Sequence, residues 1–339
     1  MQSPFAGRPD RKPEKISMSS SQTQIATLHE ARHANWAARP HRKAAGCSRL
    51  AYRIAGISLE MTAGDGLQMV LEPSLRAFAM VRAAGEQCDV QVNVSMVDEL
   101  RVPAGEPLFD SGGLWRLFAE AGGYRLNFLR PFAGETPYKT AWFDGDFSRG
   151  ELALSRKFFD PAEAMYPMEY PLDEVLMIHH LASGKGLEVH ALGLVDEAGR
   201  GHLFLGHSGA GKSTSARLWQ KQKGVRILSD DRIILRRSGG QVWMHGTPWH
   251  GDAGIASPDS ALLTHVYVLE QWPTNELVPM PRSLATAEIF ARSFVPRHCG
   301  EALGFVLQFI EQVCEEVPCD TFRFVPNESA LEAIRHARD

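Results

Sequence analysis

A chain of 339 residues exceeds the usual size of one domain, so two compact parts, one large and one small, are expected. With 44% hydrophobic, 9% aromatic and 22% charged residues it has a globular make-up, which excludes a mainly disordered chain, a collagen and a disulfide scaffold. The formal net charge of -4 gives no global attraction for nucleic acid or an anionic membrane; neither is expected as a partner, and any phosphate site must be local.

The five cysteines, Cys47, Cys88, Cys299, Cys314 and Cys319, are odd in number and include no CxxC pair, which suits a reducing, cytoplasmic setting. Cys314 and Cys319 flank "EEVP", but no matching ligand pair stands at zinc-site spacing, so they read as free buried thiols. No apolar run reaches the roughly 18 residues that span a bilayer, and the N-terminus lacks a signal-peptide apolar core.

In chain order, residues 1–48 are rich in Ser, Pro, Ala and Arg and poor in bulky aliphatics, and read as a solvated basic tail or an over-extended start, with Met18 as an alternative first residue. A targeting segment or a polyanion-binding arm is the other reading of that composition. Residues 49–157 form a smaller, mostly β part: apolar residues alternate in "YRIAGISLEM", "DVQVNVSMV", "YRLNFLRP" and "KTAWFDGDF", with Gly, Pro and Asp between. Trp115 and Trp142 there read as core, and no internal repeat or catalytic cluster is present.

Residues 158–339 read as α/β. "PLDEVLMIHHLASGKG" opens on Pro171 and two acids and closes on glycines, a helix of about three turns in which adjacent His179 and His180 must face differently, one packed and one solvated. "LEVHALGLV" and "HLFLG" read as paired strands joined by the turn "DEAGRG". "STSARLWQKQKG" is a helix ending at Gly224, and "VRILSDDRIILRR" a buried strand interrupted by two acids. "QVWMHG" and "HVYVLEQW" read as strands, "SLATAEIFARSF" and "EALGFVLQFIEQVCEE" as helices, "CDTFRFVP" as a strand and "SALEAIRHAR" as a last helix.

Between "HLFL" and "TSARLW" lies Gly206-His207-Ser208-Gly209-Ala210-Gly211-Lys212-Ser213, which fits G-x-x-x-x-G-K-[ST], the P-loop pattern. Its glycines allow positive φ and close backbone approach, so successive N–H groups can converge on a phosphate at the positive end of the next helix. In that chemistry residues 206 to 213, with Thr214, cradle a nucleotide such as ATP; Lys212 reaches the β and γ phosphates and the Ser213 hydroxyl ligates Mg²⁺.

Asp230 and Asp231 interrupt an apolar run, and buried carboxylates need partners. If their strand lies beside the one feeding the glycine turn, the pair faces the γ-phosphate, one acid supporting Mg²⁺ and the other accepting a proton. The alternative is an ion pair with Arg232 or Arg236. His190, inside "LEVHALGLV", taken alone reads as a hydrogen-bonded core residue.

Together and in this order, "VHALGLV", "GHSGAGKS" and "ILSDDRIILR" resemble the C-terminal domain of HPr kinase/phosphorylase, whose P-loop fold is shared with phosphoenolpyruvate carboxykinases; the likeness covers about residues 170 to 335. "GTPWHG" and the later element order look more like the HPr-kinase-like proteins of bacterial peptide-modification clusters, some of which phosphorylate a serine of a ribosomal peptide. The resemblance implies a P-loop kinase domain behind a smaller β-rich part, with ATP held by Lys212 and its loop and Mg²⁺ by Ser213. It makes Asp231 the proton acceptor, Asp230 a supporting or metal-linked acid, and His190 an active-site histidine. It also leaves room for an oligomer. The chain departs from the family in two places. Trp243 stands where a metal-binding glutamate is expected, leaving His245, His250 and Asp252 either to line the site or simply to form a turn. The arginine-containing substrate-capture loop has no clear counterpart, although Arg282 and Arg292 lie in the right half.

The expected function is an ATP-dependent kinase acting on a hydroxyl, foremost a serine of a protein or peptide. The alternatives are a nucleotide-gated binding module without phosphotransfer and a small-molecule phosphotransferase.

Overall fold

Strand alternation builds the first half of the protein. In β3 (Val90–Val97), sequence VQVNVSMV, each valine from Val90 to Val94 is buried and the intervening Gln91 and Asn93 are exposed, the period of two that puts one face on a core. The structure, a computed structural model, describes residues 46–64, 66–82, 86–130 and 135–336. Nearly all of the expected basic tail, residues 1–45, lies outside them.

Eight strands form one mixed sheet in the order β1 (Arg49–Ile54), β2 (Ile57–Ala63), β3, β8 (Arg149–Ser155), β7 (Lys139–Asp144), β6 (Gly123–Phe128), β5 (Trp115–Glu120) and β4 (Phe109–Asp110). β3 runs parallel to both β2 and β8, and the other neighbours are antiparallel. "YRIAGISLEM" is therefore not one strand. It is a hairpin turning at Ala55 and Gly56, whose φ angles of 53° and 79° give the tight two-residue turn that matches strand twist.

Helix α1 (Leu172–Ala182) follows, as expected. Leu172, Val175, Leu176 and Leu181 join the core under the first sheet, whereas Ala182 belongs to the core of the second. The expectation of one solvated histidine fails. His180 is buried with Nδ1 2.9 Å from Asp146 O, and His179 stacks on Phe147 at 4.4 Å between ring centres.

The second sheet has nine strands: β9 (Leu187–Val195), β10 (Gly201–Leu205), β11 (Arg226–Ser229), β12 (Arg232–Ser238), β13 (Gln241–Gly246), β14 (Ser260–Gln271), β15 (Glu276–Pro279), β16 (Ser293–Phe294) and β17 (Cys319–Phe324). Its order is β10-β9-β12-β13-β14-β17-β15, and β10 also pairs with β14, so five strands close on one another. β14 runs parallel to β10 and to β17, while the remaining pairs are antiparallel. Helices cover both faces. α4 (Gly300–Glu316) contributes Val306, Phe309, Ile310 and Val313 to one core, joined by Ile289 of α3 (Arg282–Ala291). On the other, α2 (Lys212–Gln220) and α5 (Ser329–His336) pack Ala216, Trp219, Leu331 and Ile334 against Phe204, Tyr267 and Phe322. Trp219, 2% exposed, anchors α2; truncating such a side chain to alanine costs about 3–5 kcal/mol.

The arrangement is thus mixed α/β, with two mixed sheets and few helices. The acidic stretch forms two strands, β11 and β12, both on β9; β9 itself therefore stands between β10 and the acids. The helix expected through Phe294 stops at Ala291, because Ser293 and Phe294 pair with β9 instead. Among the described residues no helix is long and apolar enough to cross a membrane.

Candidate functional site

The glycine turn leaves the C-terminal end of β10, where Leu205 lies in register with Val268 of parallel β14. Ligands favour this end of parallel strands in α/β sheets. Gly211 caps α2 with φ 110°, and a Cβ there would lie 2.7 Å from Cζ of Phe324, so the position demands glycine both for its backbone angle and for space. His207, Ser208 and Gly209 are exposed, Ala210 is buried, and Ser213 and Thr214 are half-buried in the first helical turn. The leading N–H groups of α2 have no intrahelical acceptor and sit at the positive end of the helix. Lys212 is 8% exposed, and its Nζ donates to Gly206 O at 2.7 Å and His207 O at 3.4 Å. Burial pulls its pKa down to about 8, the Asp231 charge opposes that, and Arg292 and Arg232 add to it.

Beside the lysine, β9 and β12 bring His190 opposite Arg232. His190 Nε2 lies 3.0 Å from Asp231 Oδ1, and Arg232 Nη1 lies 2.5 Å from Asp231 Oδ2, so each carboxylate oxygen has a fixed neighbour. Burial lowers the His190 pKa against the hydrogen bond to Asp231, which keeps the imidazole neutral near pH 7. Behind this pair, Arg232 Nε reaches Glu174 Oε1 of α1 at 2.6 Å and Glu188 Oε1 of β9 at 3.5 Å, with the guanidinium 4.5 Å from the ring centre of Phe294. Glu174, Glu188 and Arg232 are all buried. Burial, followed by the Glu174 charge, pushes Glu188 well above the usual carboxylate range, with Arg232 opposing it.

Asp230 does not share this geometry. It is 3% exposed, and its Oδ1 and Oδ2 accept the amides of Gly251 at 3.0 Å and Ala253 at 2.9 Å, fixing the loop after β13. A Cβ on Gly251 would meet Asp230 Oδ2 at 2.6 Å, which explains the glycine of "GTPWHG". Thr247 Oγ1 donates to Arg232 O at 2.8 Å, tying the same loop to β12. Trp249 is buried against the core beneath the first sheet, to which Leu172 and Val175 of α1 also belong; on that helix burial drives the pKa of Asp173 up to about 7. Of the other loop candidates, His245 lies on β13, where burial and then Arg236 lower its pKa to about 4. His250 Nδ1 is 3.0 Å from Gly251 O, and Asp252 is exposed.

A cavity of about 560 Å³ opens beside the turn, lined by His207, Gly209, Leu269, Leu284, Glu288 and Arg292, among others. Arg292 Nη1 pairs with Glu288 Oε2 at 2.5 Å, and its carbonyl accepts the His190 amide at 2.8 Å, so it links cavity and acid site. Arg282 lies elsewhere, in an exposed ion pair with Glu315. No cluster of three or more His, Cys, Asp or Glu able to hold a metal occurs among the described residues.

No protein-family model matches the chain, and no curated protein matches it in sequence. Among solved structures, the Hpr(Ser) kinase/phosphatase from Coxiella burnetii is similar at a TM-score of 0.26 and 16% identity, over 44% of this chain and 95% of that one. A score that low decides nothing about fold or function.

The Arg232 hub escapes motif reading. Its signal is Glu188, a charge inside an apolar strand two residues before His190 and hence on the same face.

Proposed function

We propose that this chain is an ATP-dependent phosphotransferase that moves the γ-phosphoryl group to a hydroxyl, with a serine of a protein or peptide as acceptor and catalysis carried by residues 158–339. One observation supports this above the rest: Asp231, gripped by His190 and Arg232, lies within electrostatic reach of Lys212 at the mouth of a glycine turn that caps a helix.

On this reading the triphosphate lies over the N–H groups of residues 206–214, with Lys212 as its cation. The Ser213 hydroxyl would hold a magnesium ion brought by the phosphates; among the described residues no cage of carboxylates is built for one. Bound there, it would offset charge on the β and γ oxygens. Asp230, with both oxygens on loop amides, takes the orienting one of the two roles, supporting or metal-linked, that the resemblance leaves to it.

The acceptor oxygen attacks the γ-phosphorus, the bond to the β–γ bridging oxygen breaks, and ADP leaves. The hydroxyl proton passes to Asp231, which keeps spare lone pairs although each oxygen has a neighbour. His190 and Arg232 hold the carboxylate in place, so its orientation is set before the acceptor arrives.

Asp231→Asn tests the assignment with radiolabelled ATP and a serine-peptide library. ATP affinity should persist while transfer falls by about 10²-fold or more. Transfer at the native rate would remove Asp231 from the chemistry, and native protein that binds ATP but labels nothing would make the chain a binding module.

A further inference from the structure

Arg292 caps α3 at the step into β16. Its carbonyl accepts the His190 amide at 2.8 Å, so its backbone is fixed to the residue that holds Asp231. The side chain is only partly satisfied. Nη1 donates to Glu288 O at 2.8 Å and lies 2.5 Å from Glu288 Oε2, but the second contact is misaligned: Glu288 Oε2 and Arg292 Nε are both buried without a hydrogen-bond partner among the described residues. A buried donor left without an acceptor is rare in folded proteins, and water or a ligand completes it. The cavity of about 560 Å³ that Arg292 lines says which, because His207, Gly209 and Ala210 of the glycine turn line it too.

We propose that Arg292 is a second phosphate-binding cation, which meets the γ-phosphoryl group from the cavity side and makes the site distinguish ATP from ADP. The inference rests on the phosphotransferase reading above. On that reading Lys212 marks the β and γ phosphates and Asp231 the place where the acceptor is deprotonated, so the acid side is the γ side. Arg292, bonded through its backbone to His190, stands on that side.

A guanidinium offers phosphate oxygens a planar fork of donors, and bonds of this charge-assisted kind are about twice as strong as neutral ones. Glu288 holds the side chain until the triphosphate arrives, and a misaligned carboxylate yields to a terminal phosphate that Nε can reach. The other carboxylate on the cavity wall, Glu270, is matched by Arg323 Nε at 2.9 Å and does not cancel the charge of Arg292. During transfer the acceptor's O–P bond forms, the bond to the β–γ bridging oxygen breaks and the proton goes to Asp231. Arg292 keeps all its protons and faces the charge on the γ oxygens throughout.

Calorimetric titrations of Mg·ATP and of Mg·ADP into the full-length chain, Arg292→Gln, Arg292→Lys and Glu288→Gln test this. The native chain should bind ATP about tenfold or more tighter than ADP, and Arg292→Gln should lose most of that preference through ATP alone, with ADP affinity kept within about twofold. Arg292→Lys should restore part of it, and Glu288→Gln, which removes the present partner, should keep or widen it. A helix cap with no part in binding would leave the ratio untouched. Equal affinity of the native chain for the two nucleotides, a native ratio in Arg292→Gln, or a narrower one in Glu288→Gln would overturn the proposal and leave the glycine turn standing as a nucleotide site. A native chain that binds neither nucleotide would instead remove the phosphotransferase reading, and this inference with it.

Discussion

Replacing Arg232 by methionine removes the cation that Glu174 faces at 2.6 Å and Asp231 at 2.5 Å. The site is 6% exposed, so water cannot take over. Breaking a buried ion pair from one side costs about 3–5 kcal/mol, which for a domain of this size lowers the melting temperature by roughly 6–15 °C. The loss carries a pH signature. Without Arg232, Glu174 becomes a buried acid with a raised folded-state pKa, like Glu188 now. An acid whose folded pKa exceeds its unfolded value carries a penalty that is absent below the unfolded pKa and grows as pH rises to the folded one. The deficit of R232M should therefore be larger at pH 8 than at pH 5, and adding Glu174→Gln should recover most of it at pH 8. Thermal unfolding of the native chain, both single variants and the double variant at the two pH values measures this. A deficit below about 1 kcal/mol, or one equal at both pH values and untouched by Glu174→Gln, would refute the hub.

Gly211→Ala should cost about 2 kcal/mol or more, from a φ of 110° and a contact with Phe324 at 2.7 Å, and should weaken ATP binding as well; denaturant midpoints and titrations read both. Asp173, with a folded pKa near 7 against an ordinary 3.8, favours its protonated form, so its cost is absent below pH 4, grows through the interval and is full above pH 7, at most about 4 kcal/mol. Asp173→Asn should accordingly raise the urea midpoint at pH 8 and leave it unchanged at pH 4. Lys212 loses its proton as pH rises through about 8, and phosphate restores it, so ATP binding at pH 9 should take up close to one proton, seen as a buffer-dependent heat, and little at pH 6.5.

What could be read from the sequence was what local pattern determines. The glycine turn between strand and helix follows from residues 201 to 219 alone, and alternation locates β3, β6 and β7. The turn inside β1–β2 stayed hidden because Ala55 takes a left-handed angle that its side chain does not advertise. Local pattern leaves Asp230 and Asp231 alike, and only the resemblance gave them different roles; adjacent strand-end residues diverge, and the fold shows Asp231 reaching His190 and Asp230 the loop at Gly251. Likewise β9, which carries His190 between β10 and β12, is a fact of sheet order, and pairing across sequence is invisible to periodicity.

Calorimetric titration of Mg·ATP into the full-length chain and into Lys212→Met tests the account most directly. Saturable binding to the native protein that disappears in the variant is the predicted result. Native protein that shows no saturable heat, or a variant that binds as tightly as the native chain, would contradict it.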